Sequence, residues 1–138
     1  MNETILTIDL GTSRCKTTLF ALDGRELARE TRAYPTRFPR EGYAEQNPED
    51  WWQRLTETVH AIANSEPALD SSLQGIVVTG QMHGLVCVDQ EGERIHPFLT
   101  LHDQRSLRET DRLRNLLGDE AFYDITGERL SPSLPIAK

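Results

Sequence analysis

Two short turn sequences divide the first 34 residues of the chain into three segments of β-forming side chains. Apolar and polar residues alternate over residues 4–10, which is typical of a strand with one buried face. The dipeptide Asp23-Gly24 favours a tight hairpin turn, because glycine adopts a positive φ without strain. The sequence therefore predicts an antiparallel meander of three strands, over residues 4–10, 16–22 and 26–34.

An amphipathic helix is predicted after the dipeptide Asn47-Pro48, since proline is well placed in the first turn of a helix. Apolar residues then recur at steps of three and four and stop before Pro67. This apolar stripe consists of Trp52, Leu55, Val59 and Ile62. Trp51 and Trp52 could also be read as sugar-stacking platforms, but their place on this helix favours a role in the core.

Three strands and then two helices are predicted in the remainder of the chain. The β-branched run over residues 75–80 predicts a strand buried on both faces, as in the centre of a sheet covered by helices. Strands are also predicted over residues 85–89 and 94–101, the second irregular because of Pro97. Helices are predicted over 103–117 and 119–125, with the leucines of the first facing inward: Leu107, Leu113, Leu116 and Leu117. These elements predict an α/β fold with a mixed sheet and flanking helices in one compact unit.

The charge of the chain argues against two classes of partner. The formal net charge of the 138 residues is -7, so the surface as a whole repels nucleic-acid backbones and anionic lipid headgroups. No apolar stretch approaches the roughly 18 residues that a membrane span requires, and no basic segment precedes the first apolar run, so we expect a cytoplasmic protein. Cys15 and Cys87 match no metal-binding spacing and are predicted to be reduced, buried strand residues.

A single carboxylate, Asp9, stands at the end of the first predicted strand, directly before a turn and two basic residues. Phosphoryl transfer requires amides and cations that hold phosphate oxygens, and a carboxylate that holds Mg²⁺. The turn could supply a concave anion site of amides and hydroxyls, and Arg14 could add charge. The candidate residues are Asp9, Gly11, Thr12, Ser13 and Lys16. The same residue types build ordinary hairpins, so spacing alone leaves both interpretations open.

The segment TIDLGTSRCKTTLFALDG resembles the first phosphate-binding hairpin of the actin and hexokinase-like ATPases, in the form found in the FGGY carbohydrate kinases. Four further segments resemble that family in the same order and together cover nearly the whole chain: YAEQNPEDWW, GIVVTGQMHGLVCVD, LHDQR and FYDITGERLSPSLPIAK. Within the family, GQMHG is most similar to the corresponding turn of the xylulokinases. The resemblance implies a ribonuclease H-like fold.

The resemblance also implies an activity and assigns residues to it. It implies ATP-dependent phosphorylation of a keto-sugar, D-xylulose to D-xylulose 5-phosphate, with Mg²⁺. Asp9 would orient the metal ion and the phosphates, which the turn and Lys16 would bind. Met82 and His83 match the pair of the family that contacts the sugar, and Asp103 is expected on the sugar side as well.

Two positions depart from the family pattern. Arg14 stands where the family usually has glycine, so either its side chain reaches the phosphates or the hairpin tip has another shape. Leu101-His102 replaces a tryptophan and a polar residue, which removes a ring that would line the sugar site. The identity of the sugar is therefore open, and another sugar or polyol remains an alternative.

Kinases of this family are much longer than this chain and consist of two related domains. We therefore expect residues 1–138 to be a partial N-terminal domain without the C-terminal domain, and to be inactive alone. The general base and the adenosine site would lie outside the chain. The alternative is a non-catalytic interaction or regulatory module of the same actin-like fold, in which an apolar face is covered by formation of a homo-oligomer.

Overall fold

The computed structural model of the chain describes residues 3–138. The chain divides into two compact units. The first contains the residues up to Pro35 together with Pro48–Gln81, and the second contains Thr36–Asn47 and Met82–Lys138. Each unit buries an apolar cluster of its own. The prediction of one compact unit is therefore wrong, because the buried apolar residues form two separate clusters.

Strands open the chain, and helices and further strands follow. The strands are β1 (Thr4–Leu10), β2 (Arg14–Ala21), β3 (Glu26–Ala33), β4 (Glu45–Gln46), β5 (Leu73–Gly80) and β6 (Phe98–Leu99). The helices are α1 (Pro48–Ser65), α2 (Leu69–Ser72), α3 (Leu107–Leu117) and α4 (Asp119–Thr126), and Pro135–Ala137 forms a 3₁₀ turn. Within the described residues, no helix has both the length and the apolar character needed to cross a bilayer.

The first unit is built on a four-stranded mixed sheet with the strand order β3-β2-β1-β5. Strands β1, β2 and β3 form the predicted antiparallel meander, and Gly24 adopts a φ of 88° in its second turn. Strand β5 pairs with β1 in parallel. Both the meander and the mixed character of the sheet are thus confirmed.

Helix α1 packs against the meander and covers one face of it. Leu6 and Ile8 alternate with more exposed residues along β1 and contribute to the buried cluster with Ile62 of α1. The prediction that Trp52 belongs to the core is wrong, since its side chain is 72% exposed. Trp51 packs on the cluster instead, because it lies four residues before Leu55 and thus on the same helix face.

Strand β5 lies at an edge of the sheet, and the prediction that it is buried on both faces is wrong. Ile76 and Val78 point to one face and Val77 to the other, and all three are more than half exposed, at 57%, 61% and 56%. A β-branched run favours a strand whatever its neighbours are, so the sequence predicts the strand correctly and its burial incorrectly.

The second unit contains only short strands. Strand β4 pairs with β6 in antiparallel orientation, and isolated bridges join Leu85 to Leu99 and Val88 to Arg94. The strand predicted over residues 85–89 is therefore wrong, and of the irregular strand predicted over residues 94–101 only Phe98–Leu99 forms. Cys87 accordingly lies outside the strands and is only partly buried, whereas Cys15 is fully buried in β2 as predicted.

Helix α3 begins at Leu107, four residues later than predicted. The Asp103 carboxylate accepts a hydrogen bond from the backbone N–H of Arg105, and such a local bond competes with helix formation. Of the four leucines predicted to face inward, Leu113 packs on the cluster formed by Phe122, Leu130 and Leu134. Leu107, Leu116 and Leu117 are exposed, so that prediction is largely wrong.

Candidate functional site

The bend between β1 and β2 carries an acid beside a cation. Asp9 pairs with Lys16 across the hairpin, and its Oδ2 atom lies 3.4 Å from Lys16 Nζ. Because side chains alternate along a strand, Asp9 points to the sheet face opposite to Leu6 and Ile8, and 40% of its side chain is exposed. An exposed ion pair contributes at most about 1 kcal/mol to stability, so folding alone gives little reason for this arrangement.

Backbone hydrogen bonds close the bend. The N–H of Gly11 donates to the carbonyl oxygen of Arg14 over 3.1 Å, so this amide shapes the turn. A Cβ atom at residue 11 would lie 3.8 Å from Asp9 Oδ1, which shows how closely the Gly11 backbone approaches the carboxylate. Ser13 and Arg14 are exposed at the tip, and Thr12 is half-buried. The Gly11 amide is thus engaged within the turn, its backbone lies against the acid, and its role in phosphate binding stays a prediction.

Tyr34 contacts the bend through its hydroxyl group, and no role was predicted for this residue. Its hydroxyl donates a hydrogen bond to the carbonyl oxygen of Gly11, and its ring lies 6.4 Å from that of Trp51. Burial raises the pKa of Tyr34 to about 12, with smaller contributions from Cys15 and Asp9. The only sequence signal was an aromatic residue with a polar tip at the end of a strand.

In the second unit, Met82 and His83 form a turn in which Met82 is exposed and His83 is half-buried. The Met82 side chain is 63% exposed, and the His83 ring lies with Nε2 3.9 Å from Glu128 Oε1. His83 has a φ of 57° and is the one residue other than glycine with a positive φ in residues 3–138. This left-handed conformation costs a residue with a Cβ atom about 1 kcal/mol or more, so the surrounding contacts must hold it.

Gly84 fixes one side of this turn. A Cβ atom at this position would lie 1.9 Å from Cζ of the buried Phe98 ring, a distance that no side chain tolerates. On the next residue, the N–H and carbonyl groups of Leu85 pair with those of Leu99 at 3.0 Å each. The turn therefore packs directly against β6.

Asp103 is completely buried, and its carboxylate binds protein groups. Its oxygens accept hydrogen bonds from the Ala44 amide at 2.8 Å and from the Arg105 amide and guanidinium at 2.8–3.1 Å. Burial alone would raise the pKa of Asp103, but these bonds outweigh it and hold the pKa below its usual value. Arg105 in turn stacks on the Tyr43 ring at 3.9 Å and donates to Glu45 at 2.6 Å. This geometry favours a supporting role for Asp103, and a contact with sugar stays a prediction.

The predicted site residues fall into two sets. Asp9, Gly11, Thr12, Ser13 and Lys16 come together at the bend of the first unit, and Met82, His83 and Asp103 belong to the second unit. Within the first unit, Leu10 at the end of β1 pairs with Gly80 at the end of β5. The carboxyl ends of β1 and β5 therefore lie side by side at the same end of the sheet.

The residues at the bend suit a hydrated magnesium ion better than a dry metal cage. In residues 3–138, no group of three or more His, Cys, Asp or Glu side chains is arranged to hold a metal ion. Mg²⁺ usually keeps several waters and binds one or two carboxylates together with substrate phosphates. Asp9, a half-exposed carboxylate beside exposed polar groups, fits that mode of binding.

Lys138 is a second residue whose role the sequence does not predict. Its ammonium group donates to the carbonyl oxygens of His83 at 3.1 Å and of Thr100 at 2.5 Å. These partners lie 55 and 38 residues away in the chain. No local pattern signals a contact of that range.

Comparison with known proteins gives a consistent result. The model of the N-terminal domain of the FGGY family of carbohydrate kinases matches residues 4–138. Xylulose kinase from Bacillus subtilis (strain 168) is 34% identical over 134 residues, which are 97% of this chain and 27% of that protein. Gluconokinase from the same strain is 29% identical over 138 residues, which are 100% of this chain and 26% of that protein.

The solved structure of xylulose kinase from Rhodospirillum rubrum has a TM-score of 0.91 and 27% sequence identity, and the match covers 98% of this chain and 28% of that one. This likeness confirms the predicted actin and hexokinase-like ATPase fold, also called ribonuclease H-like, with its mixed sheet. The chain spans about a quarter of the length of these relatives.

Proposed function

Because the chain belongs to the FGGY family of carbohydrate kinases, we propose that it is part of an enzyme that transfers the γ-phosphoryl group of ATP to a hydroxyl group of a sugar. One observation carries the proposal. Asp9 and Lys16 lie together on an exposed bend at the carboxyl end of β1, next to the carboxyl end of β5. Ligand sites in parallel α/β sheets lie outside the carboxyl ends of such strands.

The bend is the proposed phosphate side of the site. Asp9 holds Mg²⁺ through its carboxylate, and Lys16 neutralises phosphate charge. Thr12 and Ser13 add amide and hydroxyl donors, and Gly11 lets the backbone come close. When bound, magnesium-ATP supplies the phosphoryl group. The contribution of these residues is to bind and orient it.

The turn of residues 82–84 is the proposed sugar side. The His83 imidazole can donate a hydrogen bond to a sugar hydroxyl or accept one from it, and the exposed Met82 thioether can pack on the carbon chain. We propose D-xylulose as the sugar, phosphorylated to D-xylulose 5-phosphate, since GQMHG is most similar to the xylulokinase turn and similar proteins are named xylulose kinase. D-Gluconate is the second candidate, because other relatives are named gluconokinase.

The chain alone is proposed to bind ligands weakly and to transfer no phosphate. Transfer requires a base that accepts the proton of the attacking hydroxyl and a second group of contacts to the phosphates. We place those groups in the parts of the relatives that this chain does not span, which makes residues 1–138 a partial N-terminal domain. The expectations of a cytoplasmic location, of self-association and of no membrane or nucleic-acid partner stay predictions.

Calorimetric titration of the 138-residue chain tests the proposal. Magnesium-ATP, D-xylulose and D-gluconate are added separately to the wild type and to single variants. We expect Asp9→Asn to weaken the binding of magnesium-ATP and to leave sugar binding unchanged, and His83→Ala to do the reverse. Asp23→Asn is the control for Asp9, because Asp23 is also an exposed acid beside a cation, Arg25, in a hairpin turn. His60→Ala is the control for His83, because His60 is exposed on α1.

Two results would contradict the proposal. Equal magnesium-ATP affinity of wild type and Asp9→Asn would remove the phosphate site, and phosphoryl transfer by the isolated chain would disprove its dependence on further residues. A non-catalytic module predicts a third pattern: a discrete oligomer in sedimentation velocity, with no binding of either ligand.

A further inference from the structure

Strain at the Met82-His83 turn implies that something holds it in place. His83 has a φ of 57°, in the left-handed region that residues with a Cβ atom rarely adopt. Such a conformation persists only where neighbouring contacts fix it. Gly84 on the Phe98 ring fixes the chain after His83, but it does not hold the His83 carbonyl group.

The ammonium group of Lys138 does hold that carbonyl group. It donates to the His83 oxygen at 3.1 Å and to the Thr100 oxygen at 2.5 Å, so one side chain joins the turn to the segment after β6. An ammonium group has three donors and no acceptor, which suits it to bridging two carbonyl oxygens.

The second anchor of this bridge is itself rigid. Thr100 is fully buried, and its N–H donates to the Ala44 carbonyl oxygen at 3.0 Å. The carbonyl oxygen of Thr100 also accepts the N–H of Asp103 at 3.1 Å, and Asp103 binds Arg105. A hydrogen-bonded chain therefore runs from the turn through Lys138 and Thr100 to the buried ion pair.

Stability alone does not explain the partial burial of Lys138. Burial lowers the pKa of Lys138, the attraction of Asp103 opposes the shift, and the repulsion of Arg105 adds to it. A lysine on an exposed surface would avoid this desolvation. The geometry shows what its placement achieves, since the ammonium group donates to the backbone carbonyl oxygen of His83 in the turn and to that of Thr100 after β6.

We infer that Lys138 is a positioning residue for sugar binding: its ammonium group pins the His83 carbonyl to Thr100 and so fixes the direction of the imidazole. The sugar-binding part of this inference rests on the proposed function. The pinning of the turn does not, and the two can be measured separately.

The test compares Lys138→Met, which keeps the length and apolar stem of the side chain but has no donor, with Lys138→Arg, which keeps charge and donors. The D-xylulose affinity of the 138-residue chain is measured together with the backbone and ring NMR resonances of His83. We expect Lys138→Met to weaken D-xylulose binding by about tenfold, the loss typical of a hydrogen bond to a charged group, and to shift the His83 and Gly84 resonances. Lys138→Arg should restore both.

Binding of magnesium-ATP is the internal control. The bend belongs to the other compact unit, so Lys138→Met should leave this affinity unchanged. Equal losses of sugar and nucleotide binding would indicate general destabilisation and overturn the inference. Unchanged His83 resonances in Lys138→Met would overturn it as well.

Two further outcomes keep this inference separate from the proposed function. If the wild type binds no D-xylulose while Lys138→Met shifts the His83 resonances, the proposed sugar fails and the pinning stands. If Lys138→Met does not fold, the bridge is tested by NMR on the wild-type chain. The sequence has two lysines, Lys16 and Lys138, so selective labelling of their ε-carbons gives two signals. A nuclear Overhauser contact from Lys138 to the His83-Gly84 peptide supports the bridge, and its absence overturns it.

Discussion

Replacement of Tyr34 by phenylalanine tests whether this residue holds the bend after β1. The change removes the hydroxyl group that donates to the Gly11 carbonyl oxygen and keeps the ring against Trp51. At neutral pH we expect a loss of about 1 kcal/mol in the free energy of unfolding, the usual net contribution of one hydrogen bond. The variant should fold, because the apolar part of the side chain is unchanged.

The pH dependence provides the sharper test. The pKa of Tyr34 is raised from 10.0 to about 12 by burial, Cys15 and Asp9, so the unfolded chain loses the phenolic proton before the folded one does. The stabilisation is therefore complete below pH 10 and is lost as the pH rises toward 12. A pH of about 11 lies one unit above the unfolded pKa. The loss of stability there is at most about 1.4 kcal/mol, because one pH unit corresponds to that free energy. With the side chain 5% exposed, solvent screens this effect little.

Urea unfolding near pH 8 and near pH 11 measures the effect as a difference between wild type and Tyr34→Phe. Other titrating groups affect both proteins equally and cancel. We expect the wild type to be more stable by about 1 kcal/mol near pH 8, and the difference to vanish or reverse near pH 11. Tyr123→Phe is the control, since Tyr123 is 53% exposed. A difference between wild type and Tyr34→Phe that stays constant over this range would refute the reasoning.

Two further substitutions test the second unit. Gly84→Ala places a Cβ atom 1.9 Å from the Phe98 ring, and we expect a loss of about 3 kcal/mol in urea unfolding. Gly75→Ala, where nothing lies within 4 Å, should change little, and equal effects would disprove the clash. Asp103→Asn removes one of the two carboxylates that Arg105 binds and leaves Glu45, so it should cost about 2 kcal/mol at neutral pH. Because the folded pKa of Asp103 lies below its usual 3.8, wild type loses this advantage as the pH falls through that lowered pKa; identical acid unfolding of both proteins would contradict this.

The local parts of the fold could be predicted from the sequence. Alternation over Thr4–Leu10 and the turn at Gly24 are properties of neighbouring residues, and the meander follows from them. The bend with Asp9 and Lys16 could be predicted for the same reason, since both residues lie within one hairpin.

Burial and long-range contacts could not be predicted in this way. The spacing of apolar residues on α1 accommodates either Trp51 or Trp52, and only packing against the meander decides between them. The burial of β5 depends on its place in the sheet, which a β-branched run does not specify. Asp103 was predicted to lie on the sugar side. The hydrogen bonds from Ala44 and Arg105 that occupy its carboxylate form only in the folded chain and have no signal in the sequence.

The alternation of side chains along β1 also protects the chain against misalignment. Sliding this strand by a single position would turn the Asp9 carboxylate into the apolar cluster beneath α1 and would bring Leu6 and Ile8 out to water. An unpaired charge in such a cluster costs several kcal/mol, so the wrong alignment is strongly disfavoured. Asp9, which we assign to phosphate binding, thus also disfavours a shifted register of β1. Its replacement by an apolar residue would remove both the proposed phosphate contact and this selection of the correct register.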